Sequence, residues 1–150
     1  MTLFALLRRH CGLTMHEAGS VCGVTPDTAQ TWSAGHRRTP PEAIGKLRAL
    51  AALIERTAET VLAGLPASGV VELRPAADDT AAQVLGLPCR GAHDAVLGRV
   101  VARLDRPVSL LTVAVAPGAE VASEHRTAMA RRVPAPDKPI WPPPRRVRAP

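Results

Sequence analysis

The stretch Val24–Arg38 reads VTPDTAQTWSAGHRR, and its reading decides how the N-terminal half folds. Thr25 has the side chain of a helix N-cap, an oxygen that accepts from an orphan amide of the first turn. Pro26 fits the first helical position, where a missing N–H costs no bond, and Asp27 suits the positive end of the helix dipole. Ala29 and Trp32, three apart, share the face that turns inward, and Gly35 ends the helix. The helix has no Lys or Arg; its one charge is Asp27, and His36, Arg37 and Arg38 follow at its exit.

Working outward, Thr14 followed three residues later by Glu17 is a capping box that starts a helix of about two turns, to Val21. Cys22-Gly23-Val24 is the turn between the two helices, with Gly23 free to take positive φ. Before it, TLFALLRRH at Thr2–His10 sets Phe4 and Leu7 on one face beside Arg8 and Arg9, and Gly12 closes that helix. After it, Thr39-Pro40-Pro41-Glu42 reads as a second capping box. The long helix it opens carries Ile44, Leu47, Ala51, Ile54, Ala58 and Val61 as a stripe widened by Leu50 and Leu53, until Gly64 and Pro66 stop it. So broad a stripe leaves its second half for the C-terminal unit or a partner chain to cover.

The string LTMHEAGSVCGVTPDTAQTWSAGHRR resembles the Cro/C1-type (XRE-like) helix-turn-helix. Leu13, Thr14, Glu17, Gly23, Val24, Thr28, Trp32 and Gly35 match that pattern in register. The resemblance implies a lambda-repressor-like domain of four or five helices over residues 1–63, serving a transcription regulator. Met15 departs from the pattern, which often has a phosphate-bonding Gln there, and Ser33 replaces the usual Glu.

With Ala29 and Trp32 inward, the second helix of the pair exposes Asp27, Thr28, Gln30, Thr31 and Ser33. Gln30 can pair two-point with adenine through N6 and N7, Thr28 or Thr31 can touch a thymine methyl, and Asp27 can accept from cytosine N4. The bland reading of each is a solvated helix face. Anchoring charge lies just outside, in His36, Arg37 and Arg38, with Arg9 on the first helix; Arg8 and Lys46 suit ordinary surface roles equally well. Phosphate contacts position a protein without specifying sequence, so separating readers from anchors is physically sensible.

Beyond the linker LPASG at Leu65–Gly69, VVELR at Val70–Arg74 reads as a strand, ADDTAAQVL at Ala77–Leu85 as a helix, AHDAVLGRVVARL at Ala92–Leu104 as a stronger helix, and VSLLTVAV at Val108–Val115 as a second strand. Val96, Leu97, Val100, Val101 and Leu104 form the inward set of the stronger helix. Residues 69–116 thus make a small α+β unit, below the size that usually stabilises itself, and pairing of two chains would relieve the shortage. This segment loosely resembles the dimerisation domain of phage and anti-CRISPR-associated repressors. Residues 119–150 hold seven of the 15 prolines and lose all periodicity, which reads as a disordered basic Pro-rich tail, with Glu120–Arg132 forming at most a transient helix.

Composition frames these readings. Of the 150 residues 46% are hydrophobic and only 2% aromatic, so the core must come from Ala, Leu and Val, which favours a mainly α fold. The net charge of +6 divides as +2 over residues 1–60, zero over 61–118 and +4 over 119–150, so most of the excess lies in the tail. Cys11, Cys22 and Cys89 show no zinc spacing, and with His10 and His16 they match no metal-ligand pattern. His93, Asp94 and Asp105 lack a nucleophile or phosphate loop, so no enzyme class and no cofactor is expected; His93 reads as structural. Without a signal or membrane-length segment the expected compartment is the cytoplasm. The expectation is a dimeric, sequence-specific regulator, most simply a repressor on a palindromic site in double-stranded DNA. The alternatives are a helix-turn-helix protein-interaction module, adaptor or antitoxin-like, and an RNA-binding regulator.

Overall fold

The computed structural model describes residues 1–111, and the chain is mainly helical. In order it forms α1 (Leu3–His10), α2 (Met15–Cys22), α3 (Pro26–Ala34), α4 (Pro41–Gly64), β1 (Val71–Leu73), α5 (Asp79–Val84), α6 (Arg90–Ala102) and β2 (Val108–Leu110). Residues 112–115 of the expected second strand, and the expected tail at 119–150, lie outside the described residues.

Local chemistry sets most of the helix ends. Thr2 caps α1 through Ala5 N–H, and Thr25 caps α3 through Thr28 N–H. Thr14 and Glu17 form the reciprocal capping box of α2: Glu17 N–H donates to the Thr14 hydroxyl at 3.2 Å and Thr14 N–H to Glu17 Oε2 at 2.7 Å. Between α2 and α3, Gly23 takes φ 76° and Val24 N–H donates to the Gly19 carbonyl at 2.9 Å. The approach is so close that a Cβ on Gly19 would lie 2.8 Å from the Val24 carbonyl oxygen.

Two expected helix starts are corrected. The second capping box is not made: α4 begins at Pro41 with Pro40 as its N-cap and no side-chain cap. Thr39 lies one residue too early to cap it, and the two prolines need no amide partner. The stronger C-terminal helix begins at Arg90 rather than Ala92, because its first amides find acceptors on other elements, as described below. Its inward set also differs. Val96, Leu97 and Val100 are buried with Ala92 and His93, whereas Val101 is 40% exposed and Leu104 only half-buried. The earlier start adds two residues, about half a turn, at the N-terminal end of the helix.

The core runs through α1, α3, α4 and α6. Phe4, Leu47, Ile54, Val96 and Val100 are fully buried, each worth about 1.5–3 kcal/mol by burial. The Phe4 and Trp32 rings meet edge to face at 5.5 Å, joining α1 to α3. The second half of the α4 stripe, through Ile54 and Ala58, packs against α6. Part of the apolar surface of the small C-terminal segment is therefore covered within the same chain. β1 and β2 pair in parallel, Val71 with Val108 and Leu73 with Leu110, with α5 and α6 as the crossover. Inside the segment, Ala76 N–H donates to His93 Nδ1 at 3.2 Å, so His93 has the expected structural place.

Candidate nucleic-acid interface

Pro26 at the start of α3 and Gly35 at its end, with φ 83°, bound a helix of nine residues. Its inner face is Ala29 and Trp32; Asp27 and Gln30 are exposed on the other side, while Thr28, Thr31 and Ser33 are half-buried. Among the described residues neither Asp27 nor Gln30 makes a side-chain hydrogen bond or ion pair, so their polar groups face water unengaged.

The three threonines differ from this. Thr25 and Thr28 share a hydroxyl-to-hydroxyl bond of 3.0 Å, and the Thr31 hydroxyl donates to the Thr28 carbonyl at 2.8 Å. The Thr31 hydroxyl proton and one of the two in the Thr25–Thr28 pair are thus engaged by the helix itself, and the methyl groups suit Thr28 and Thr31 to apolar contact with a thymine methyl.

At the exit, His36 and Arg37 N–H both donate to the Thr31 carbonyl, at 3.0 and 3.4 Å. These bonds satisfy a carbonyl near the end of α3 and fix the backbone of His36 and Arg37 against the end of the helix. His36, Arg37 and Arg38 are all exposed and make no side-chain bond among the described residues. Arg9 is exposed on α1, its guanidinium drawn back to 3.8 Å from Met1 Sδ. Arg9 stands in the last turn of α1, whereas it is the N-terminal end of that helix that meets the end of α3, since the Thr2 hydroxyl donates to the Ser33 carbonyl at 3.3 Å.

Two nearby cations are committed to the fold. Lys46 Nζ donates to the Cys22 carbonyl at 2.9 Å, closing the C-terminus of α2 from α4. Arg8 Nη1 donates to the Leu13 carbonyl, holding the loop between α1 and α2. Neither role carries a sequence signal, because each joins residues whose proximity only folding creates.

Sequence reasoning also missed the second role of Glu17. Beyond its capping box, Glu17 Oε1 accepts from Gly91 N–H of α6 at 2.8 Å. Burial pushes this carboxyl up, but bonds from Thr14, Gly91 and the Cys89 thiol outweigh burial and hold it below the usual carboxylate range. The cysteines offer no reactive centre. Burial raises the Cys11 thiol to about 11, the Cys89 thiol to about 12, and the Cys22 thiol in the same direction.

No family model and no curated protein matches the chain. Among the described residues no helix is long and apolar enough to cross a membrane.

Proposed function

We propose that the chain is a sequence-specific DNA-binding regulator, a dimeric repressor acting on a palindromic operator, with α2 and α3 as a helix-turn-helix of the Cro/C1 type. In this reading residues 1–63 contact DNA and residues 69–116 pair two chains. The observation that carries it is the division of labour on and after α3. An outer face without a cation presents Asp27 and Gln30 with their hydrogen-bonding groups unengaged, and three exposed basic residues follow Gly35.

Gln30 is assigned to a two-point contact with adenine, Asp27 to cytosine N4, and Thr28 and Thr31 to thymine methyls. His36, Arg37, Arg38 and Arg9 are assigned to phosphates, which supply affinity and its salt dependence. Two-fold pairing places a second α3 about one helical turn of DNA away, doubling the contacts that so small a reader makes alone. The reading needs no cofactor and no catalytic residue.

Selection from genomic fragments followed by a salt titration tests it. Log K should fall steeply with log salt; Arg37→Ala should weaken all sequences alike and lower that slope by about one unit, and Gln30→Ala should relax preference at one base position. If selection returns no enriched sequence, the regulator reading fails. Enrichment of structured RNA, or capture of a protein partner with no nucleic-acid binding, would replace it.

A further inference from the structure

Helix α6 has no side-chain cap from its own N-cap residue, Cys89. Its first two amides instead take carboxylates from other elements. Arg90 N–H donates to Asp79 Oδ1 of α5 at 2.8 Å, and Gly91 N–H donates to Glu17 Oε1 of α2 at 2.8 Å. Both acids sit at the positive end of the α6 dipole. The Glu17 bond spans 74 residues of chain, and its other oxygen is already the cap of α2. One carboxylate therefore closes two helix starts at once.

The surrounding contact leaves no room for slack. A Cβ on Gly91 would lie 2.5 Å from the Gly12 carbonyl oxygen and 2.8 Å from Glu17 Oε1, so the backbones touch where the bond forms. Farther along α6, Arg99 bonds Glu55 of α4 and donates to the His10 carbonyl at 2.9 Å, and Arg103 bonds Glu55 Oε2 at 2.8 Å. Glu17 alone among these groups belongs to α2, which the Gly23 turn joins to α3.

We infer that Glu17 is a positioning residue that fixes the C-terminal segment on the α2–α3 pair, so that whatever engages residues 69–111 sets the orientation of α3. The coupling itself stands on the contacts above; its consequence for DNA rests on the regulator reading. With α6 held, two paired chains accept one separation of half-sites.

The two roles of Glu17 separate by substitution. Glu17→Gln keeps an acceptor for Thr14 N–H, since Gln also serves in a capping box, but cannot supply two anionic oxygens. Thr14→Ala does the reverse, removing the hydroxyl from the α2 cap and keeping the carboxylate. Amide exchange of the full chain, followed residue by residue without DNA, reads the result.

For Glu17→Gln, amides from Gly91 through Val96 should exchange at least ~10-fold faster while those of α2 stay within about twofold. Thr14→Ala should show the opposite pattern. Acceleration of Gly91 alone, or equal acceleration of α2 and α6 in both variants, would overturn the coupling. If Glu17→Gln does not fold, Glu17→Asp, which keeps the charge but shortens the reach, is read in its place against the same outcomes. On paired half-sites, Glu17→Gln should tolerate separations that the unaltered chain rejects; an unchanged preference with α6 freed overturns the consequence for α3. Failure to bind DNA at all would count against the regulator reading and leave the exchange result decisive for the coupling.

Discussion

The outer face of α3 and the seam beneath α6 use charge in opposite ways. On α3 and its exit loop, Asp27, Arg37 and Arg38 are exposed, with no side-chain partner among the described residues. At the seam Glu17, Glu55, Arg99 and Arg103 all bond across elements, and Arg99 Nη2 also meets His10 Nε2 at 2.8 Å, which neutral His10 can accept. Charge tied off in this way holds helices in register. Charge left free costs the fold little and is available to a partner.

The largest break in that contrast is at the seam. Gly91→Ala should destabilise by about 1–3 kcal/mol, because the new methyl has only backbone and a capping carboxylate to displace. A denaturant midpoint measures it, and a neutral result would mean that the helices are not pressed together as described.

Next in size is acid sensitivity. Glu17 is held below the usual carboxylate range as described above, and Glu55 chiefly by the hydrogen bond from Arg99, which burial opposes, and then by the bond from Arg103. A depressed folded value means stability that is fully present above the unfolded value, about 4.3, and that drains away as pH falls through the lower folded one. Thermal melts from pH 6 to pH 3 should fall steeply over the acid part of that range. In the double variant Glu17→Gln, Glu55→Gln the profile should be flatter, and an equally steep profile would move the acid sensitivity to other carboxylates.

The smallest effect sharpens the comparison from the other side. Gln30→Ala and Arg37→Ala should each change stability by less than about 0.5 kcal/mol, as exposed side chains without partners do. A larger loss of folding stability would show that these residues serve the fold, and the DNA assignment would lose its basis.

Much of the helical frame was legible because capping is local. Thr14 with Glu17, Thr25 with Pro26, and the glycines at 23 and 35 act within three or four residues, so their spacing alone announces them. The same logic over-read Thr39, where proline chemistry permitted two starts and the helix took the later one. It under-read α6, whose first amides are closed by Asp79 and Glu17 rather than by a neighbour in sequence. The candidate interface divided likewise. Exposure of Asp27 and Gln30 follows from the positions of Ala29 and Trp32, whereas the engagement of Thr28 and Thr31 with the helix, and of Lys46 with the end of α2, did not.

By itself, then, the order of residues determined where most helices begin and end, which face of α3 turns inward, and that its outer face carries no cation. Tertiary structure alone decided that the C-terminal segment docks on the N-terminal helices and that Glu17 serves two of them. Caps and periodicity are short-range and repeat with the helix turn, while a bond between residues 17 and 91 exists only once packing has brought two distant helix starts to the same carboxylate.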